Sequence, residues 1–300
     1  MSAPRPPQPV LRAAFWMLGA VVSLIAIAIA GRELTREISV FEVIFFRNVL
    51  CLVVLAPLLI CSAENRCRTR RPGRHVLRNT VHFAAQAAWF YGLVHLPLGE
   101  VIALEFTSPV WTALLAAVLL RERLTRNRVL GVLLGFAGVL VILRPGAAIV
   151  HPAAFAVLLA AAGFALMFVL TRTLAASEHP LTILFWMNIV QLPLSLALSL
   201  PGWTTPSFSL WPWLLVVGLA GLSNHYCFAR AFALADAGTV APVDFVRLPL
   251  SILVGYLVYA EAIDVFVLVG AIVIFYGNRL NMSAGTVGAR RRGHPDPGDG

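Results

Sequence analysis

Residues 99–122 read GEVIALEFTSPVWTALLAAVLLRE, and residues 238–261 read GTVAPVDFVRLPLSILVGYLVYAE. The second stretch follows the first at an offset of 139 residues without a gap, and the coinciding pairs include Gly99 with Gly238, Val101 with Val240, Glu105 with Asp244, Phe106 with Phe245 and Glu122 with Glu261. Each stretch is apolar over about 20 residues, the length at which a helix crosses the hydrocarbon core of a bilayer. The chain is therefore predicted to carry two copies of one membrane-spanning unit.

The composition of the whole chain indicates a membrane protein. Hydrophobic residues make up 59% of its 300 residues and charged residues only 12%, whereas soluble domains carry about 25% charged residues. The mean hydropathy is +0.84. We predict an all-α integral membrane protein in a lipid bilayer, with ten transmembrane helices at about 12–31, 40–61, 76–96, 99–120, 128–144, 152–173, 180–200, 211–233, 238–260 and 264–281.

The repeat extends through both halves of the chain. The 139-residue offset also pairs Gly131 with Gly270 and Gly138 with Gly277, and an offset of 140 pairs Asn48 with Asn188. We predict an N-terminal cytoplasmic tail (1–11), a first five-helix repeat (12–144), a second five-helix repeat (152–281) and a disordered cytoplasmic tail (283–300). Because five is odd, the two repeats must be inverted in the membrane, an arrangement typical of secondary transporters.

The basic residues fix the predicted orientation. All 23 are Arg; with the N-terminus inside, 18 fall in cytoplasmic segments, three in outer loops, and Arg47 and Arg247 within spans. The positive-inside rule then places both termini in the cytoplasm. This distribution explains the net charge of +9 without a nucleic-acid partner. The Ala28-x-Ala30 end of the first span also imitates a signal-peptide cleavage site, but the repeat requires this segment as its first helix.

Spans four and nine carry matched polar stripes. Asp244, Arg247 and Ser251 are spaced i, i+3, i+7 and therefore share one helix face; Glu105, Ser108 and Thr112 have the same spacing in the first repeat. Charges at membrane depth are costly, so they usually face the bundle interior or a watery cavity and pair with each other. These stripes are predicted to form a wall of a substrate cavity; the alternative is a structural ion pair.

Spans three and eight supply further candidates for substrate binding. Gln86 and Trp89 share a face with His82, and the 139-residue offset places His225, beside Tyr226, on Gln86. Amide, imidazole and aromatic groups suit a ligand with a planar ring and polar edges, although such a His can also be a helix-packing residue. Because imidazole titrates near neutral pH and carboxylates can carry protons, coupling could run through His225, Glu105 or Asp244. Arg47 either reaches the cavity or snorkels to the outer interface.

The glycines and prolines of the predicted spans can be explained by helix packing and helix bending, without a ligand. The glycines of spans five and ten allow close helix contact, either with each other or with a second copy of the chain, which would give a homodimer. Pro109, Pro242 and Pro249 each remove an intrahelical hydrogen bond and can bend a helix beside the polar stripes. The repeat-matched acids Glu122 and Glu261 are predicted to act as caps or loop anchors at span ends.

The layout of five plus five spans, with GEVIALEFTSPVWTALLAAVLLRERLTRNRVLGVLLGFAGVLVILRPG at 99–146, resembles the drug/metabolite transporter superfamily, EamA type. Within it, FEVIFFRNVL at 41–50 followed by RRPGRHVLRN at 70–79 is similar to carriers proposed for S-adenosylmethionine or riboflavin. The resemblance implies a central cavity lined mainly by spans one, three, four, six, eight and nine.

Three classes of function are therefore compared. The first is a secondary transporter of small organic metabolites, amino-acid-like or aromatic and heterocyclic, in a bacterial inner membrane. The second is an intramembrane enzyme acting on lipid or isoprenoid substrates, but the sequence has no metal-ligand or nucleotide-binding motif. The third is a structural or regulatory membrane partner, which would not explain matched polar stripes. We expect transport of a small-molecule substrate without a cofactor or metal, and no enzymatic activity.

Overall fold

The computed structural model describes residues 7–60, 67–119, 125–146, 149–175, 177–235 and 242–292. No β-strand occurs within these ranges. The helices are α1 (Pro7–Leu34), α2 (Val40–Ile60), α3 (Pro72–His95), α4 (Leu98–Glu105), α5 (Ser108–Leu119), α6 (Arg126–Leu143), α7 (Pro152–Ala175), α8 (Pro180–Ser199), α9 (Trp211–Leu234), α10 (Arg247–Tyr259) and α11 (Val265–Arg292). Two 3₁₀ turns, Leu200–Gly202 and Phe208–Leu210, connect α8 to α9.

Where the structure describes them, all ten predicted spans contain helix, but the helices do not all have the length and hydropathy of membrane spans. In the described residues, seven helical stretches are long and apolar enough to cross a bilayer: Val10–Leu34, Val40–Pro57, Leu98–Leu119, Arg126–Leu143, Pro152–Ala175, Pro180–Gly202 and Pro242–Tyr259. Helices α3 and α9 are as long but more polar, and the apolar part of α11, Val265–Asn281, is shorter. The count of ten membrane spans therefore stays a prediction.

The chain ends differ in extent from the predicted tails. Helix α1 begins at Pro7, within the predicted tail 1–11, and α11 continues to Arg292, through part of the segment predicted as disordered. Residues 1–6 and 293–300 lie outside the described residues, as does Glu122, so the predicted cap at that position has no structural counterpart to compare.

The helices predicted at 99–120 and 238–260 are both broken, and the breaks coincide in the repeat. Helix α4 ends at Glu105, residues 106–107 form a turn, and α5 begins at Ser108. In the second half a helical turn at 242–244 is followed by a turn at 245–246 and then by α10. The nearby prolines explain the breaks, because Pro109 and Pro249 cannot donate the hydrogen bond that would continue each helix. Each break directly follows an acid, Glu105 or Asp244.

The backbone at the first break is satisfied from α11. Asn278 donates from Nδ2 to the carbonyl of Phe106 at 2.8 Å, and Asn281 donates to the carbonyl of Pro109 at 2.9 Å. A carbonyl released from its helix inside a membrane needs such a donor, because no water replaces the lost bond. The asparagines therefore stabilise an irregular backbone next to Glu105.

Helices α6 and α11 pack through two reciprocal glycine contacts. A Cβ on Gly131 would stand 2.6 Å from the carbonyl oxygen of Gly277, and one on Gly138 would stand 2.6 Å from that of Gly270. Only glycine allows so close an approach. These faces are used within the chain, so a homodimer, which stays a prediction, would need another surface.

Further helix pairs also join the first half of the chain to the second half. Helix α1 packs on α9, with Ser23 Oγ donating to Ser223 Oγ at 2.9 Å, while α3 packs on α7 at Ala85 and Gly163. Helix α2 packs on α8 and α4 on α10. If spans one to five correspond to spans six to ten, the α1–α9 contact is equivalent to the α7–α3 contact. The α2–α8 and α4–α10 contacts are then each equivalent to themselves.

Ion pairs tie one end of the bundle together. Glu261, after α10, pairs with Arg32 at the end of α1 and accepts a hydrogen bond from Leu98 N at 2.8 Å. Arg144, after α6, pairs with Asp264 before α11. The predicted anchoring role of Glu261 therefore has direct partners: it joins α1, the start of α4 and the end of α10.

Candidate functional site

A charged cluster lies where the two broken helices meet. Arg247, at the start of α10, donates from Nη1 to Glu105 Oε1 at 2.9 Å, and its Nε lies 3.6 Å from Asp244 Oδ1. The three side chains are 4%, 15% and 19% exposed, respectively for Arg247, Glu105 and Asp244. One guanidinium thus serves two carboxylates that the repeat makes equivalent. With all three groups ionised, the cluster has a net charge of −1.

Aromatic rings close around this cluster. Trp89 of α3 donates from Nε1 to the second oxygen of Glu105 at 2.8 Å. The guanidinium of Arg247 lies 4.8 Å from the ring centre of Phe106, a cation–π contact. Phe106 and its repeat counterpart Phe245 stack with centroids 4.2 Å apart and planes 12° apart. Four residues predicted from the sequence as site residues are therefore brought together by α3, α4, the helical turn at 242–244 and α10: Trp89, Glu105, Asp244 and Arg247.

The electrostatics of the two breaks favour a cation. Both acids stand at the C-terminal end of a helical segment, where carbonyl dipoles present negative charge, and each adds a carboxylate to it. Arg247 is the cation that occupies this position. Among the described residues, Asp244 Oδ1 and Arg247 Nε have no hydrogen-bond partner, so the contact to Asp244 is ionic and loose while the contact to Glu105 is a true hydrogen bond. Arg247 can therefore change its carboxylate partner without losing both of its contacts at once.

A second polar network is buried between α2, α3 and α8. Gln191 accepts from Arg47 Nη2 at 2.8 Å, and its amide nitrogen lies 3.1 Å from His82 Nδ1. The amide nitrogen of Gln86 lies 2.8 Å from His82 Nε2. A neutral imidazole has one donor and one acceptor, so one of the two amides must present its oxygen to the ring; Gln86 Oε1, otherwise without a partner in the described residues, suits this role.

Besides Gln86, three of the predicted site residues lie apart from the charged cluster. Ser108 donates to the carbonyl of Ala161 in α7 at 2.9 Å, and so joins α5 to α7. Tyr226 is 56% exposed, with its ring edge-on to Trp16 of α1. His225 is partly buried and lies within electrostatic range of Arg47.

The comparisons with known proteins add to this geometry. The sequence matches the EamA-like transporter family over residues 11–144 and again over residues 151–282. The chain belongs to the EamA-like transporter family.

Two relatives of this chain are named as transporters of small metabolites. The S-adenosylmethionine uptake transporter of Rickettsia conorii is 30% identical, over 86% of this chain and 88% of that protein. The riboflavin transporter of Brucella anthropi is 33% identical, over 73% and 79%. A solved crystal structure shares the fold, with a TM-score of 0.64 over 94% of this chain and 99% of that chain at 18% identity. The resemblance stated from the sequence motifs, including the likeness to S-adenosylmethionine and riboflavin carriers, is confirmed.

Some buried polar residues of this EamA-like protein were not predicted as site residues. Gln191 links Arg47 to His82, and Asn278 supports the break at Phe106. Arg78, assigned from the sequence to the cytoplasmic charge bias, is only 3% exposed within α3. A polar residue inside an apolar run was the available signal for Gln191 and Asn278, but the sequence does not tell which neighbour that side of the helix contacts. Arg78 stands in a basic stretch and has no such signal.

Proposed function

We propose that this EamA-like protein is a secondary transporter that moves small organic metabolites across a membrane by alternating access. Its two halves form inverted five-helix repeats of ten membrane helices, with the substrate path along the broken helices. The two successive family matches and the coincident breaks after Glu105 and Asp244 support this arrangement. Discontinuous helices at equivalent positions of two repeats are characteristic of transporter binding sites.

The observation that carries the proposal is the shared guanidinium of Arg247. Alternating access requires a contact that differs between two states. In the state described, Arg247 is hydrogen-bonded to Glu105 and only loosely paired with Asp244. A small rotation of α10 against α4 would exchange these roles and free Glu105 for a cationic group of the substrate or for a proton. Proton coupling would then run through Glu105 or Asp244, with His225 as the alternative carrier.

The substrate class follows from the lining and from the relatives. Trp89, Phe106 and Phe245 offer aromatic faces beside carboxylates, which suits an aromatic or heterocyclic ring with a polar or cationic edge. Relatives are named for S-adenosylmethionine uptake and for riboflavin transport, and both compounds carry such a ring. We therefore propose a substrate that is amino-acid-like or heterocyclic. Membership of a transporter family favours transport over the enzyme alternative.

The proposed location is a bacterial inner membrane, with both termini in the cytoplasm. The bias of Arg residues to one set of connections supports this orientation. The end of the bundle tied by Arg32 and Glu261 would then face outward. In the described conformation the outer side would be closed.

Counterflow in proteoliposomes tests the proposed function. The purified full-length protein is reconstituted and loaded with unlabelled S-adenosylmethionine or riboflavin, and entry of the same labelled compound is followed. We expect saturable exchange of at least one of them above empty liposomes, with the label recovered chemically unchanged. A metabolite panel, ranked beforehand by thermal stabilisation, extends the search to other amino-acid-like and heterocyclic compounds. No exchange of any stabilising compound, or a chemically altered label, would contradict transport.

A further inference from the structure

The second polar network extends from the buried guanidinium of Arg47 to a second buried guanidinium, that of Arg78. Arg47 is 8% exposed and Arg78 is 3% exposed. Arg47 donates to the side-chain oxygens of Asn48 and Gln191, and Arg78 to those of Thr171 and Asn79 and to the sulfur of Met167. All of these acceptors are neutral. Among the described residues neither guanidinium forms an ion pair, in contrast to Arg247, Arg32 and Arg144.

The two guanidiniums belong to one connected group. Arg47 is bonded to Gln191, the amide of Gln191 lies 3.3 Å from the carbonyl of Asn79, and Arg78 is bonded to the side chain of Asn79 at 2.6 Å. The same Gln191 amide lies 3.1 Å from Nδ1 of His82, which stands one turn after Arg78 on α3. The aliphatic stem of Arg47 passes Gly221 of α9, one turn before His225. We give the name basic cluster to four nitrogen-bearing side chains of α2, α3 and α9: Arg47, Arg78, His82 and His225.

The basic cluster has donors left over. Arg47 Nε, Asn48 Nδ2 and Asn79 Nδ2 are buried and have no hydrogen-bond partner among the described residues. Buried charges are normally paired, because a guanidinium removed from water loses its hydration. Within the part of the chain that the structure describes, two like charges have no counter-ion and three N–H donors are unused beside them, an arrangement that suits an anion. A carboxylate or a phosphate supplies both the charge and the acceptors.

One face of α3 connects this cluster to the acids. Arg78, His82, Gln86 and Trp89 follow each other at helical spacing and are all buried. From Arg78 to Trp89 the helix rises about 16 Å, at 1.5 Å per residue. The basic cluster holds one end of this face, and Glu105, bonded to Trp89, holds the other. The polar interior therefore carries the positive charge of the guanidiniums at one end of this face and the negative charge of Glu105 at the other.

We propose that the basic cluster, centred on Arg47 and Arg78, binds an oxyanion of the transported molecule, a carboxylate or a phosphate. Its substrates are then elongated molecules with an anionic group at one end and a cationic or hydrogen-bonding group that reaches Glu105 at the other. This inference rests on the proposed transport function for its physiological ligand. The anion site itself rests only on the charges and the unused donors.

Matched ligand pairs test the anion site on the purified wild-type protein. S-adenosylmethionine is compared with its carboxyl methyl ester, and riboflavin with riboflavin 5′-phosphate, by titration in phosphate-free buffer. Because hydrogen bonds to charged groups contribute more than neutral ones, the member that carries the free carboxylate or the phosphate should bind about 10- to 100-fold more tightly. The first pair tests a carboxylate and the second a phosphate, so the arm that shows the preference identifies the oxyanion. Equal affinities in both pairs would overturn the proposal.

Single substitutions of the two guanidiniums test whether they cause the preference for ligands that carry an oxyanion. Arg47→Gln and Arg78→Gln should each remove about tenfold or more of the affinity for the member that carries the carboxylate or phosphate, and change the affinity for the member without it by less than about twofold. Arg230→Gln, an exposed Arg of α9, is the matched control and should keep the preference. A preference that survives in both folded variants would place the anion elsewhere. If either variant does not fold, the wild-type ligand pairs still decide.

A further arm separates this proposal from the transport proposal. Inorganic phosphate should stabilise the wild-type protein against heat, and the stabilisation should be absent in Arg47→Gln. That result, together with no counterflow of any metabolite, would contradict transport and leave the anion site standing. Counterflow with no preference for ligands that carry a carboxylate or phosphate, and no stabilisation by inorganic phosphate, would contradict the anion site and leave the transport proposal standing.

Discussion

Replacing Arg247 by Met should destabilise the protein strongly, because two buried carboxylates would lose their shared counter-ion. At an effective dielectric constant of about 20, charges separated by 2.9 Å and 3.6 Å attract by about 6 and 5 kcal/mol. The desolvation cost of the three groups offsets part of this attraction, and breaking a buried ion pair typically costs about 3–5 kcal/mol. We expect a loss of that size in the free energy of unfolding of Arg247→Met.

The loss should be recovered when the carboxylates are neutralised too. In a triple variant, Arg247→Met with Glu105→Gln and Asp244→Asn, no charge remains unpaired, and the amide oxygen introduced by Glu105→Gln can still accept from the Trp89 indole. Replacement of a whole buried ionic group by neutral groups is often neutral or stabilising. The triple variant should therefore unfold within about 1 kcal/mol of the wild type.

Thermal unfolding in detergent at pH 7, followed by circular dichroism, measures both variants. At about 2–4 °C per kcal/mol, the single variant should lose about 6–20 °C and the triple variant only a few degrees. Arg279→Met, which removes an exposed Arg of α11, is the control and should change little. A single variant as stable as the wild type, or a triple variant no more stable than the single, would refute the coupling of the three charges.

Three further predictions concern the packing, the topology and the energy source. Gly138→Ala should lower the unfolding temperature by several degrees, because its Cβ would stand 2.6 Å from the backbone oxygen of α11 and overpacking costs about 1–3 kcal/mol; Gly73→Ala, which meets nothing within 4 Å, is the control, and equal effects would contradict the glycine seam. In a chain without native Cys, a Cys at Gly202 should react with a membrane-impermeant reagent from outside and a Cys at Arg70 only from inside; reaction of both from one side would break the predicted topology. An inward proton gradient should accelerate substrate entry in the wild type and not in Glu105→Gln; entry that ignores the gradient in both would leave a facilitator.

Much of the fold could be predicted because it depends on local patterns. Apolar length located the helices, and Pro109 and Pro249 marked helices that could bend, since a missing N–H acts wherever the residue lies. The glycines of spans five and ten predicted a close contact, but not whether its partner was internal or a second chain. That choice depends on tertiary geometry, and the reciprocal contacts of Gly131 and Gly138 with α11 supply it.

The site was predicted less completely, for a physical reason. Spacing along a helix identifies a shared face, so Asp244 was an evident neighbour of Arg247, but the hydrogen bond goes to Glu105, 142 residues away. Adjacent residues on a helix differ by about 100° in direction, which is why His225 turns inward while Tyr226 packs on Trp16. The sequence alone assigns Arg78 to the topological charge bias, because sequence position does not reveal its burial.

Transport by the triple variant tests the central claim most directly. Because Arg247→Met with Glu105→Gln and Asp244→Asn should remain folded, its flux separates a substrate-path role of the cluster from a structural one. Counterflow of the best-transported metabolite is measured in proteoliposomes that contain equal amounts of folded wild-type and variant protein. We predict saturable flux for the wild type and none above empty liposomes for the variant. A folded variant that transports at the wild-type rate would show that the three charges only clamp α4 to α10, and would contradict the account.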